Sequence, residues 1–269
     1  MTSVVPAGGQ GDSHAPFIAS HLSTSLDEAV TVSLDEPRGY AHRRLCDAGF
    51  DQAPVRSGND TIGWVPTRAL EGEGGAVDDS MIPLSRTPIV ASTTSLSHVL
   101  GLIGDGLIFT VHGAGLGGFI VPSDLDRHAM RGHFYVLIAE IEMVLSDVVG
   151  RDVDEKDIEE LVRGTAGEGR YKKASRAGQD TRIVEYLDLK DLIDVFEKQV
   201  VTGDLPDVVS TTLAELPSFR NVVMHATKPL VVEYPPSRLA DLDTRVRQVR
   251  DELSAWRRCT AGLKEMRHD

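Results

Sequence analysis

Cysteine is almost missing from this chain: Cys46 and Cys259 are its two thiols, far apart and without metal-ligand spacing. That excludes a disulfide-framed scaffold and a cysteine-built zinc site, and fits a reduced, cytoplasmic protein. Long apolar runs are missing too. No segment approaches the ~18 uncharged apolar residues of a membrane span, and the polar N-terminus is not that of a signal peptide. Positive charge is scarce, with 28 Lys and Arg against 41 Asp and Glu, a formal net charge of −13 and a pI near 5.1. A general nucleic-acid coat protein would be basic, so this balance argues against one while leaving room for a small basic cleft on an acidic body. No Gly-x-Ser-x-Gly, Walker loop or His-Glu-x-x-His occurs. Gly113-x-Gly115-x-x-Gly118 has dinucleotide-fingerprint spacing, but Phe119-Ile120-Val121 follows where a helix would be needed, so it reads as a hairpin turn. His42, His98 and His112 form no ligand set, and no metal is expected.

What is present is an ordinary globular composition, 41% hydrophobic and 26% charged over 269 residues, enough for one large domain or two average ones. Residues 1–16 are Gly/Ser/Pro-rich and are expected to form a disordered tail. An internal duplication follows. Gly63-Trp64-Val65-Pro66-Thr67-Arg68-Ala69-Leu70 matches Gly118-Phe119-Ile120-Val121-Pro122-Ser123-Asp124-Leu125 at an offset of 55 residues. Each copy follows another short apolar run, Gln52 to Val55 and Leu107 to Val111, and a Gly/Asn/Asp turn. Upstream helices are predicted at Gly39–Ala48 and Ser95–Leu102, so each repeat reads as helix, strand, hairpin, strand, helix.

This pattern resembles the cystathionine-β-synthase (CBS) domain pair over residues 17–126, with repeats at about 17–78 and 79–126. The resemblance implies an α/β module of βαββα repeats with adenosine nucleotides as regulatory ligands. Nucleotide-binding members carry a hydroxyl residue three before a ribose-holding aspartate. Those positions are Pro66 and Ala69 in the first copy, Val121 and Asp124 in the second. Asp124, with Ser123 beside it, is therefore the candidate nucleotide-binding pair, and the first site is eroded.

From Ser123 the alternation stops and helical periodicity begins. Phe134, Leu137, Ile138, Ile141, Val144, Leu145 and Val148 mark one stripe of a helix ending near Val149. An acidic helix is expected from Asp154 to Val162. A Gly-rich basic loop follows, with Arg170, Tyr171, Lys172, Lys173 and Arg176. Further helices are predicted over Leu187 to about Val201 and over Val209–Leu216. Pro217 is expected to open the next helix and Pro229 to close it, before a long charged helix from Ser237 to Lys264. Residues 127–269 thus read as an all-α helical bundle.

The chemistry sits in Arg220-Asn221-Val222-Val223-Met224-His225. Arg can neutralise a pentacoordinate phosphate, and His can move protons near neutral pH. Asn221 and His225 stand four apart, so on a helix they would share a face and the amide could orient the imidazole. A helical bundle with Arg, a polar residue directly after it, and His a few residues on looks like the HEPN superfamily (higher eukaryotes and prokaryotes nucleotide-binding). That resemblance implies a metal-independent endoribonuclease, with catalytic Arg220, Asn221 and His225, no required cofactor, 2′,3′-cyclic phosphate products and a homodimer whose two motifs share one cleft. Many members are toxins or defence effectors, so a protein antitoxin is an expected partner alongside RNA.

The segment Arg127 to His133 also satisfies an Arg-x(4–6)-His spacing, but it opens the first bundle helix and is set aside. Arg170, Tyr171, Lys172, Lys173 and Arg176 are the candidate RNA-binding residues, with Arg245, Arg247 and Arg250 secondary. The alternative reading is a non-catalytic, nucleotide-sensing or dimerising regulatory protein.

Overall fold

Gly58 and Gly113 both take left-handed backbone, at φ 59° and 60°, a region open to glycine without steric cost. Each begins a two-residue loop that turns one strand back on its neighbour. The computed structural model describes residues 17–265 apart from 73, 105, 202 and 204, with side chains described as far as 258. The expected N-terminal tail and the Cys259 side chain lie outside the described residues. The chain divides into two units, Met1–Met130 with Tyr234–Ser237, and Arg131–Glu233 with Arg238–Asp269. Among the described residues, no helix is long and apolar enough to cross a membrane.

Unit 1 is α/β. Its elements are β1 (Thr24–Ser25), β2 (Val32–Ser33), α1 (Arg38–Asp47), β3 (Gln52–Ser57), β4 (Asp60–Pro66), β5 (Ile82–Pro83), β6 (Ile89–Ala91), α2 (Leu96–Ile103), β7 (Ile108–His112) and β8 (Gly115–Ile120). In each repeat a strand runs parallel to the hairpin's first strand, after a crossover through a helix. The hairpins carry register shifts at matching places, between Val55 and Arg56 and between Thr110 and Val111.

The repeats exchange edge strands. One sheet has the order β1-β8-β7-β6 and the other β2-β3-β4-β5, so the strand ahead of each repeat completes the sheet of the other. The duplicated glycines make room for this exchange. A Cβ on Gly63 would stand 2.4 Å from the Ile82 carbonyl oxygen on β5, and one on Gly118 would stand 2.6 Å from that of Thr24 on β1. The duplicated aromatics, Trp64 and Phe119, meet in one apolar cluster with Leu26, Leu107 and Phe109. Trp64 also donates its indole N–H to Thr87 Oγ1 at 3.1 Å, satisfying its buried polar atom.

The closing helix expected in the first repeat does not form. Only a 3-10 turn, Thr67–Leu70, follows β4, and a matching one, Pro122–Asp126, follows β8. Gly72, Gly74 and Gly75 all adopt positive φ, which ends helical propagation after Leu70.

Unit 2 is helical among the described residues: α3 (His128–Asp152), α4 (Glu155–Leu161), α5 (Ala166–Arg176), α6 (Leu189–Val195), α7 (Asp207–Met224), α8 (Leu230–Glu233) and α9 (Pro236–Glu265). The expected stripe on α3, from Phe134 to Val148, is buried throughout. Phe134 meets Phe219 of α7 edge-on at 4.9 Å between centroids.

Two local expectations fail for physical reasons. The basic segment after Thr165 is helix α5, not a loop. Thr165 caps it by accepting from Glu168 N–H, and Glu168 Oε1 pairs with Lys172 Nζ at 2.6 Å, one turn on. Gly167 is needed because a Cβ there would stand 2.7 Å from Asp191 Oδ2. Pro217, in turn, does not open a helix but lies inside α7. An interior proline costs about 3 kcal/mol. Burial of Leu213, Leu216, Phe219, Val222 and Val223 around it is large enough to offset that.

Candidate functional site at the end of helix 7

Helix α7 turns Leu213, Leu216, Phe219, Val222 and Val223 into the core, which leaves the intervening positions on its outer side. Arg220 is half-buried there and Asn221 is exposed. Arg220 Nε lies 2.8 Å from Glu142 Oε1 on α3, yet that oxygen receives no aligned hydrogen bond, so the contact is an ion pair only. Arg220 and Glu142 line an open groove with Arg170, Asp147, Glu185 and Asp188. Four carboxylates against two guanidiniums make that groove acidic.

His225 comes one residue after the helix, with extended backbone at φ −93° and ψ 93°. Its N–H still donates to Asn221 O at 3.2 Å, closing the last turn. The side chain leaves the helical face at this point. Among the described residues, no side-chain hydrogen bond joins Asn221 to His225, so the expected shared face is not realised. The imidazole is exposed and is not packed among aliphatic side chains. His225 O then accepts from Lys228 N–H at 3.0 Å, and the chain turns at Pro229 into α8.

This turn is held by a residue that sequence reasoning missed. Arg131 of α3, only 7% exposed, donates from Nη1 to Val222 O at 2.8 Å, Val223 O at 3.3 Å and His225 O at 3.2 Å. Its Nη2 donates to Lys228 O. The segment set aside on position is thus structural in its parts. Arg127 bonds Thr24 Oγ1 at 2.7 Å and the Asp124 carboxylate. His133 Nε2 lies 2.6 Å from Asp243 Oδ1, with both side chains almost fully buried.

The proposed RNA-guiding residues divide. Arg170 donates to Tyr186 O at 2.7 Å, and Lys172 is tied to Glu168. The hydrogen bond from Lys172, aided by Gly164 N–H, holds the Glu168 carboxyl below its usual range. Tyr171 tilts against Tyr186, and burial, with Glu155 and Glu159 nearby, pushes its phenol up. Lys173 and Arg176 are exposed on α5 and, among the described residues, make no ion pair. Arg245 bonds Glu215 and Asp241, Arg247 bonds Asp243, and Arg250 bonds Glu140 and Asp251, so all three are already engaged.

In unit 1, Ser123 is exposed and Asp124 is buried. The Asp124 carboxylate accepts from Val121 N–H at 2.8 Å and pairs with Arg127 Nη2 at 2.7 Å. Burial raises its pKa, partly opposed by those two partners. Its counterpart in the first repeat is Ala69, which offers no polar group.

No family model and no curated protein matches the chain. Solved structures do match over its smaller part. One is a hemolysin-like, CBS-domain-containing protein of Oenococcus oeni: 15% identity, TM-score 0.35, covering 40% of this chain and 86% of that one. Another is the CBS-pair protein CBSX2 of Arabidopsis thaliana, at 17% identity and TM-score 0.37, covering 45% and 96%. The CBS domain of a bacterial CNNM/CorC family Mg2+ transporter in complex with ATP gives 14% identity and TM-score 0.35, covering 41% and 85%.

Proposed function

We propose that this chain is a metal-independent endoribonuclease of HEPN type, with the CBS-like pair as its regulatory module. The observation carrying this reading is the exposed imidazole of His225, set on a fixed turn one residue past the helix that bears Arg220. In this mechanism a 2′-hydroxyl attacks the adjacent phosphorus. One group removes its proton and another protonates the departing 5′-oxygen, leaving a 2′,3′-cyclic phosphate. A two-fold homodimer supplies both groups as two copies of His225, and two copies of Arg220 stabilise the phosphorane. To reach the phosphate, Arg220 leaves its half-exposed pair with Glu142, whose Oε1 is buried. Lys173 and Arg176 are the cations left to guide the strand, and Asn221 presents its amide to RNA. As a toxin or defence effector, the chain would be neutralised by a protein antitoxin.

RNA incubated with the protein in EDTA, followed by end-group analysis, tests the reading. Cleavage should persist on chelation and fall by about 10²–10⁴-fold in His225→Ala. Loss on chelation, or full activity in His225→Ala, overturns it.

A second reading is a nucleotide-sensing regulatory protein without turnover. It is favoured by the duplicated fold of unit 1 and by Asp124, kept in one repeat alone. Calorimetric titration with AMP and ATP, for wild type and Asp124→Ala, decides it. Binding lost in the variant, with no RNA cleavage by either protein, supports the sensor.

A further inference from the structure

We infer that Arg131 is the positioning residue for His225. The catalytic consequence rests on the nuclease reading above, whereas the positioning itself does not. A helix ends with four carbonyls that have no partner inside it. On α7 two of these belong to Val222 and Val223, and the Arg131 guanidinium takes both. It continues past the helix to His225 O and Lys228 O. Five N–H donors in a rigid planar fork suit this arrangement, in which one cation binds carbonyls pointing from successive residues. The positive charge also lies at the negative end of the α7 dipole.

Arg131 is buried and, among the described residues, has no carboxylate partner. Its charge is compensated by those carbonyls, so displacing the turn would strand a cation in the interior. The His225 backbone is consequently gripped on both sides. Its N–H is held by Asn221 O, and its carbonyl by Arg131 Nη1 and Lys228 N–H. The imidazole keeps only its side-chain torsions. An exposed turn would ordinarily sample many backbone states, and this clamp removes them ahead of any substrate.

Arg131→Lys keeps the charge but loses the fork, and Arg131→Gln keeps an N–H donor without the charge. Each is compared with wild type by circular dichroism, by amide hydrogen exchange at His225 and Lys228, and by RNA cleavage with kcat and KM separated. In folded Arg131→Lys, exchange at both amides should accelerate by about tenfold or more. Its kcat should fall by roughly 10²-fold at unchanged KM, as expected for a displaced catalytic group. Wild-type protection at both amides in both variants overturns the positioning role. Accelerated exchange with undiminished kcat overturns its catalytic consequence. Should wild type cleave no RNA, the nuclease reading fails alone, and amide exchange still decides whether Arg131 holds the turn.

Discussion

The opening of α3 and the end of α7 both carry arginine and histidine at similar spacing, and the two regions are put to opposite uses. In the first, the spaced pair is Arg127, engaged by Thr24 Oγ1 and Asp124, and His133, buried against Asp243, while Arg131 between them is buried on α7 carbonyls. In the second, Arg220 is half-buried beside Glu142 and His225 is exposed. Spacing therefore carries little information on its own. What separates a structural arginine from an available one is whether neighbouring main-chain groups have already consumed its donors. The two regions are also linked, since the buried arginine fixes the turn on which the exposed histidine stands.

The largest contrast should appear in stability. Asp243→Ala removes the carboxylate that bonds His133 and Arg247, and breaking a buried pair from one side costs about 3–5 kcal/mol, readable by urea denaturation. A loss as small as that of a surface substitution would erase the distinction between the regions. Next comes Gly118→Val, which drives a side chain into Ser23, Thr24 and Thr110 and should cost about 1–3 kcal/mol by thermal unfolding. Arg220→Met breaks a half-exposed pair but leaves the buried Glu142 Oε1 without its cation, so its stability cost should be about 1 kcal/mol. RNA cleavage should nevertheless drop sharply, and a variant that cleaves normally would place Arg220 with the structural arginines.

The smallest effect concerns pH. Burial raises the pKa of Asp124, so the folded state favours the protonated carboxyl. Its contribution is fully present below the usual carboxylate range and is lost as pH rises through the raised value. Relative to Asp124→Asn, wild type should be comparatively more stable near pH 4 than near pH 7 in parallel melts. The opposite slope would mean that the Arg127 pair outweighs burial.

The hairpins were readable from sequence because a tight turn demands glycine at positive φ, which Gly58 and Gly113 supply. The duplication was readable because close backbone approach demands glycine at both 63 and 118. The strand exchange was not, since β1 and β5 are two residues each and carry no periodicity. Helix α5 was hidden by Gly167 and Gly169, which look like breakers unless the close approach of Asp191 is known. The continuity of α7 through Pro217 depends on burial that local propensity does not encode. At the candidate site, the half-buried Arg220 and the exposed His225 were legible as residue types. Arg131 was not, because its partners are main-chain carbonyls some ninety residues away, which leave no side-chain signature.

The reciprocal strand exchange has a consequence for synthesis on the ribosome. Thr24–Ser25 emerges early but finds its partner only when Gly115–Ile120 has left the exit tunnel. Until then the nascent first repeat can pair with β5, the leading strand of the second repeat, while its own leading strand dangles. The duplicated half of this protein must therefore mature as one translational unit, and a transcript truncated between the copies would deliver an unfinished edge rather than half a module.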